Sequence, residues 1–234
     1  MNIGLIGYGR LGKLISTYIG RDFNLKVYDQ KETADSSSID EVINSKIIIL
    51  SVPISEIENV LREIAPKIKE NTIVVDTCSV KEWPVKKMLE YLPENVSILG
   101  THPMFGPDSV KDTLFGTKLV MSPIRIEKEI LENIYHYLTN QGIHVIEATP
   151  EEHDRQISTS LLLSHFIGKT LLKFGSEEQK IDTKGYRRLL RILETVENDS
   201  DQLFKDMNKY NRFSKETRDH LLKSMKDVSQ LISS

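Results

Sequence analysis

Gly7-Tyr8-Gly9-Arg10-Leu11-Gly12 follows the apolar run Asn2–Ile6 without a spacer and opens the stretch Arg10–Ile19, where Leu11, Leu14, Ile15 and Ile19 recur at helical spacing. A strand that turns through three glycines directly into a helix constrains the chain to begin as a βαβ unit. In that context G-x-G-x-x-G has a physical meaning. Gly7 makes the tight turn, Gly9 lets a pyrophosphate approach the backbone, and Gly12 lets the helix pack close to the strand. The first helical turn, with Arg10 and Leu11, presents amides to the phosphates. Asp29 closes the next predicted strand, Leu25–Tyr28, about 20 residues past the glycines. A carboxylate there bonds a ribose hydroxyl and repels a 2′-phosphate, which selects NAD over NADP. Lys31 lies close enough to weaken that preference.

The pattern continues to about residue 147. Strands are expected at residues 46–53, Thr72–Val75, Val96–Leu99, Lys118–Met121 and His144–Glu147, and helices at Ile54–Ile64, Lys81–Leu92 and Glu127–Asn140. The first of these strands is apolar without alternation, as in a parallel strand covered on both faces. Asp35-Ser36-Ser37-Ser38 reads as a loop. Strands alternating with helices predict a doubly wound α/β sheet of Rossmann type. Thr149-Pro150-Glu151-Glu152 then reads as a capped helix start, and from there to Ser234 the periodicity is helical, with breaks near Phe174–Ser176 and Asn198–Ser200. The expected domains are residues 1–148, binding the nucleotide, and residues 149–234, all helical.

Ser51, Ser79 and His102 each follow a buried apolar run at its carboxyl end, the edge where open α/β sheets form their ligand crevice. Ser51, with Val52 and Pro53, is expected on the cofactor. A histidine at that edge titrates near neutrality and suits a general base for a hydroxyl that loses hydride. A net charge of −3 gives no electrostatic footprint for nucleic acid. No run approaches the roughly 18 apolar residues of a membrane span. The first strand begins at residue 2, which leaves no room for a signal peptide, and the single cysteine, Cys78, fits a reducing compartment; a cytoplasmic protein is expected. No pair of histidines has the close spacing of a zinc site.

Three segments carry a family resemblance. Asp76-Thr77-Cys78-Ser79-Val80-Lys81 resembles the D-x-x-S-V-K segment of prephenate and arogenate dehydrogenases. Gly100-Thr101-His102-Pro103-Met104-Phe105-Gly106-Pro107-Asp108 resembles their G-x-H-P-M-F-G-P segment. Glu152-His153-Asp154 followed by Ser164-His165-Phe166 is similar to their E-H-D and x-H-F pair, with the same twelve-residue step between histidines. The resemblance implies oxidative decarboxylation of prephenate to 4-hydroxyphenylpyruvate in tyrosine biosynthesis. His102 is then the catalytic base on the C4 hydroxyl, and Ser79 positions His102 and the nicotinamide. The reaction needs no metal.

Asp154, Ser158, Leu161 and His165 fall on one face of a continuous helix, and the resemblance turns that face, with His165 and Asp154, toward the substrate. A dianionic substrate calls for cations, and arginine suits carboxylates by its bidentate geometry. The family's usual arginine position falls here on Thr195. Arg187 matches a second family arginine, and Arg191 lies one turn before Thr195, so both are expected at the substrate. The departure at Thr195 leaves open prephenate, arogenate or a 4-amino-4-deoxyprephenate. The resemblance also implies a homodimer built by the helical domain. The β-hydroxyacid dehydrogenases share the N-terminal fold but rely on a helix lysine, and the H-P-M-F-G-P segment argues against them. An NAD-binding sensor or scaffold is the alternative outside catalysis, opposed by the presence of both Ser79 and His102.

Overall fold

The computed structural model describes residues 1–31, 36–110, 112–194 and 196–232. Contacts divide the chain into two units, Met1–His153 and Asp154–Ser234. Among the described residues no helix is long and apolar enough to cross a membrane.

The first unit runs β1 (Asn2–Ile6), α1 (Arg10–Asp22), β2 (Asn24–Tyr28), α2 (Ile39–Ile43), β3 (Ile47–Leu50), a 3-10 turn (Ile54–Glu56), α3 (Ile57–Ile64), β4 (Ile73–Asp76), α4 (Glu82–Tyr91), β5 (Ser97–Pro103), β6 (Lys118–Arg125), α5 (Lys128–Asn140) and β7 (His144–Glu147). The seven strands form one sheet in the order β2-β1-β3-β4-β5-β6-β7. Every neighbouring pair is parallel except β5 and β6. This is the doubly wound, Rossmann-type arrangement. Parallel strands must be covered on both faces, which explains why Ile48, Leu50, Val74 and Ile98 are fully buried in strands without alternation.

Chain order also dictates where the helices lie. Parallel crossovers are right-handed. The steps from β2 to β3, β3 to β4 and β4 to β5 run in one direction across the sheet, so α2, α3 and α4 share a face. The step from β1 to β2 runs the other way and puts α1 on the opposite face. The chain direction reverses at β6, so the crossover from β6 to β7 puts α5 on the face of α1. One face thus carries three helices over its middle strands. The other carries two, over its ends.

The structure departs from the sequence reading at two places in this unit. The antiparallel β6 was not anticipated, since apolar runs do not encode strand direction. The fifth strand runs on to Pro103, so His102 lies inside it, paired across to Val120, rather than after it. The serine-rich stretch read as a loop leads straight into α2. Ser38 accepts from the Glu41 amide while the Glu41 side chain takes the Ser38 amide, a complete capping box. Asp35, the first residue of that stretch, lies outside the described residues.

Helix α6 (Pro150–Thr159) spans the division between the units. Thr149 caps it through the Glu152 amide, at 3.2 Å. The second unit continues with α7 (Leu161–Phe174), α8 (Lys184–Glu194), α9 (Asp201–Tyr210) and α10 (Ser214–Leu231). Gly175, with φ 81°, ends α7, and Ser200 caps α9. The continuous helix expected through Asp154 and His165 is broken at Ser160, where φ is −112° and ψ −82°. Ser158, Thr159 and Ser160 all turn their hydroxyls back onto the carbonyls of Arg155 and Gln156. Three consecutive residues that compete for backbone groups weaken the ladder at that point.

Candidate functional site

The glycine loop has the geometry of a phosphate cradle. Gly7 adopts φ 99°, and a Cβ there would stand 2.3 Å from the Ser51 carbonyl oxygen. A Cβ on Gly12 would stand 2.1 Å from the Gly7 carbonyl oxygen. Both positions therefore exclude every other residue. Gly9 is different: a Cβ there meets nothing within 4 Å, so the loop is open on the side from which a pyrophosphate approaches. No side chain caps the amino end of α1. Asp29, just past β2, is tied to the loop, with Oδ2 accepting from the Tyr8 amide at 2.6 Å and Oδ1 from the Lys31 amide at 2.9 Å. Ser51 and Val52 follow β3 and are half-buried, and Pro53 is exposed. These residues fit a dinucleotide. Arg10 and Leu11 open α1, and the Arg10 guanidinium pairs with Asp108 at 2.6 Å.

At the carboxyl edge of β4 and β5 lies a buried polar cluster that the sequence only partly disclosed. His102 and His153 are both buried, and His102 Nδ1 lies 2.9 Å from His153 Nε2, the rings standing edge to face. Two nitrogens at that distance share one proton. If His102 holds it on Nδ1 and donates to His153, its Nε2 is left unprotonated and is the basic site. Burial, then His153, then Lys81 hold His102 well below the ordinary histidine value, so the ring is a neutral base.

Beneath the histidines Lys81 donates to both oxygens of Asp76, at 2.6 Å to Oδ1, and neither side chain is exposed. Burial pushes the Asp76 carboxyl up, and Lys81 pulls it back down. The Thr101 hydroxyl donates to the Asp76 carbonyl at 2.6 Å and ties β5 to β4. Ser79 is half-buried in the turn after β4, three residues past Asp76. The D-x-x-S-V-K spacing is what places a carboxylate on the strand and an ammonium at the foot of α4. The partnership of His153 with His102 joins positions 51 residues apart, which no local pattern reports.

In the helical unit Asp154 is fully buried, and its carbonyl accepts from Asn211 at 2.7 Å. His165 is buried, with Nδ1 3.4 Å from Asp199 Oδ2. Burial pushes His165 down, while Asp199 opposes the shift. Asp199 was not foreseen; it lies in the turn before α9, where an acidic residue has an ordinary explanation. Arg187 and Arg191 are exposed on α8, and Arg187 is held by Asp182 at 2.8 Å. Thr195 lies outside the described residues.

Comparison with known proteins bears on this arrangement. Residues 17–147 match the family described as "Prephenate dehydrogenase, nucleotide-binding domain", and residues 170–234 match "TYRAAT1-like, C-terminal domain". Arogenate dehydrogenase 2 of Arabidopsis thaliana is 31% identical over an alignment covering 90% of this chain and 64% of the relative. A probable arogenate/prephenate dehydrogenase of Methanocaldococcus jannaschii is 28% identical, over 99% of this chain and 57% of the relative. The chain thus spans less than two thirds of the length of these curated relatives. Among solved structures, Synechocystis arogenate dehydrogenase superposes with a TM-score of 0.73 at 21% identity, over 100% of this chain and 92% of that one. Prephenate dehydrogenase from Aquifex aeolicus, solved with hydroxyphenyl propionate and NAD+, gives 0.77 at 20% identity, over 100% and 91%. These structures share the fold described above. The family match covers more than half of the chain and includes the strands that carry Asp76 and His102, so this chain belongs to the prephenate dehydrogenase family.

Proposed function

We propose that this chain catalyses NAD-dependent oxidative decarboxylation of a cyclohexadienyl acid, prephenate or its amino counterpart arogenate. The observation that carries the reading is the buried His102–His153 pair at the same sheet edge as the glycine loop. When bound, the nicotinamide supplies a hydride acceptor, and loss of hydride from C4 with CO2 from C1 leaves an aromatic ring. His102 takes the C4 hydroxyl proton through Nε2 as the hydride departs and returns it to the same oxygen of the phenol. His153 accepts from His102 Nδ1, which fixes the tautomer and keeps the reactive nitrogen free. Ser79 is assigned to orient His102. Gly7, Gly9, Arg10, Leu11, Gly12, Ser51, Val52 and Pro53 hold the dinucleotide, and Asp29 selects NAD.

One observation favours arogenate over prephenate. Asp199 sits beside His165, the histidine that the family likeness assigns to the substrate together with Asp154. A carboxylate there attracts the ammonium of arogenate and repels the keto acid of prephenate. The names of the Arabidopsis and Synechocystis relatives point the same way. Leu222, Met225, Val228 and Leu231 stand exposed along α10 and support assigning the helical unit to a homodimer. The single cysteine, Cys78, is buried and supports assigning the protein to a cytoplasmic setting. The test is reduction of NAD+ by purified protein, followed by ultraviolet absorbance, with arogenate and prephenate in turn. Higher kcat/KM with arogenate is expected. Preference for prephenate overturns the role given to Asp199, and no reduction with either overturns the enzymatic reading.

A further inference from the structure

The face of the sheet that carries α1 and α5 borders a partly open pocket with a cavity volume of about 500 Å3 within the first unit. It follows from the topology of the first unit: three crossovers place their helices on the other face, so among the described residues of this unit β3, β4 and β5 are flanked here by α1, α5 and the loop after β5. Ile49, Val75 and Leu99 form the floor, Ile15 of α1 and Ile134 of α5 the walls, and Phe105 closes the end next to β5. Lys46, Asn133 and Gln141 also line it, and Lys46 is drawn off to the Asn71 carbonyl at 2.7 Å. The Thr77 hydroxyl donates to the Leu50 carbonyl at 2.9 Å, the Thr101 hydroxyl to the Asp76 carbonyl, and the Tyr137 hydroxyl to Asp22 at 2.8 Å.

We propose that this cavity is a binding site for an uncharged aromatic or alicyclic molecule, separate from the dinucleotide and substrate sites. Its volume lies in the range of small-molecule pockets and is several times what suffices to admit a single benzene ring. Its chemistry excludes other classes. A charged ligand finds no counter-ion among the floor residues, and burying an unpaired charge is prohibitive. Water needs two to four polar partners, and this floor offers hydrocarbon. An apolar occupant withdraws from water the apolar surface that the pocket leaves open, which favours binding.

The experiment uses indole as probe and indole-3-acetate, the same ring system carrying a carboxylate, as control. The full chain is studied by calorimetric melting and by nuclear Overhauser contacts to labelled Ile, Leu and Val methyls. Indole at a hundred times its Kd is expected to raise the melting temperature by roughly 5–10 °C. Contacts are expected to the methyls of Ile49, Val75 and Leu99. Indole-3-acetate is expected to do neither. Val75→Phe and Ile49→Phe, each filling the floor, are expected to abolish the response to indole. The proposal is overturned if indole leaves melting unchanged, if its contacts fall on other methyls, or if the acetate binds equally well. A folded floor variant that responds like the parent also overturns it. Should both variants fail to fold, the contacts in the parent chain decide the matter alone.

Discussion

The two units solve the problem of burying apolar surface in opposite ways. In Met1–His153 crossover helices cover one face of the sheet over its middle strands, and Leu5, Ile48, Leu50, Val74 and Ile98 have no exposure at all. Its polar cluster is equally withdrawn: Asp76, Lys81, His102 and His153 are all buried and answer one another. In Asp154–Ser234 the buried apolar side chains reduce to Ile157, Leu162, Val196 and Met207, while Phe174, Ile181, Met225, Val228 and Leu231 are more than half exposed. A helix with an apolar face must find a partner for it. The first unit has a substantial core of its own and, as proposed, a preorganised base. The second displays apolar surface that a further surface would complete. Chemistry is therefore expected to be sensitive to single atoms in the first unit, and assembly and selectivity to be set in the second.

The largest test of that division is His102→Asn. Removing the base is expected to lower kcat by about 10²–10⁴-fold. NAD affinity, measured by calorimetry, and the melting temperature are expected to stay near those of the parent. If turnover survives, the base lies elsewhere and the first unit loses its claim to the chemistry.

Next in size is the apolar row on α10. Met225→Lys combined with Val228→Lys removes two apolar side chains from each copy of a two-fold interface. These side chains are 55% and 61% exposed, so burial of each gains about half of the 1.5–3 kcal/mol of a fully exposed one, and with four of them in the proposed interface the dimer dissociation constant is expected to rise by roughly 10²–10⁴-fold, read by sedimentation velocity. An unchanged association state would show that the row has another purpose and that the contrast between the units is weaker than drawn.

A smaller effect is expected at Asp29. The carboxylate is fixed by the Tyr8 and Lys31 amides and needs no rearrangement to meet a ribose hydroxyl. Asp29→Ser keeps an acceptor for the loop but removes the charge, so the ratio of kcat/KM for NAD to that for NADP should fall by roughly tenfold. A parent enzyme that prefers NADP would show that Lys31 outweighs Asp29.

How much of this was legible in the sequence differs between the units for the same physical reason. The glycine loop and strands such as Ile47–Leu50 could be read directly, because turn geometry and two-sided burial act within a few residues. His102 was legible as a strand-end histidine, although the strand runs four residues past the expected end at Leu99, to Pro103, and so includes it. The direction of β6, the pairing of His102 with His153 and the approach of Asp199 to His165 are consequences of tertiary contact. In the helical unit periodicity found the helices, but the break at Ser160 came from hydroxyls competing for backbone carbonyls, which the apolar pattern does not register. The expected stripe through Asp154 and His165 was thereby divided between two helices.

The smallest expected effect discriminates most finely, because it asks whether the buried pair in the first unit is electrically coupled or merely packed. His102 acts as a base only while neutral, so activity falls as the pH drops through its pKa. Burial, His153 and Lys81 all push that pKa down, placing the acid limb of kcat/KM below the ordinary value of 6.5. The unfolded chain carries an unperturbed histidine, so below about pH 6.5 it binds a proton that the folded chain refuses, and stability falls with pH from there. His153→Asn removes the second of the three contributions and keeps a side chain able to hydrogen bond. The acid limb should therefore move upward toward 6.5, by less than about one unit, while burial and Lys81 still hold it below. His165 in the helical unit provides the contrast, since Asp199 there opposes burial: Asp199→Asn should lower the His165 pKa further, followed by its ring proton shifts. If His153→Asn lowers kcat but leaves the acid limb in place, the His153 ring supports His102 by packing alone. The preorganised base would then consist of His102, Lys81 and Asp76 without the second imidazole.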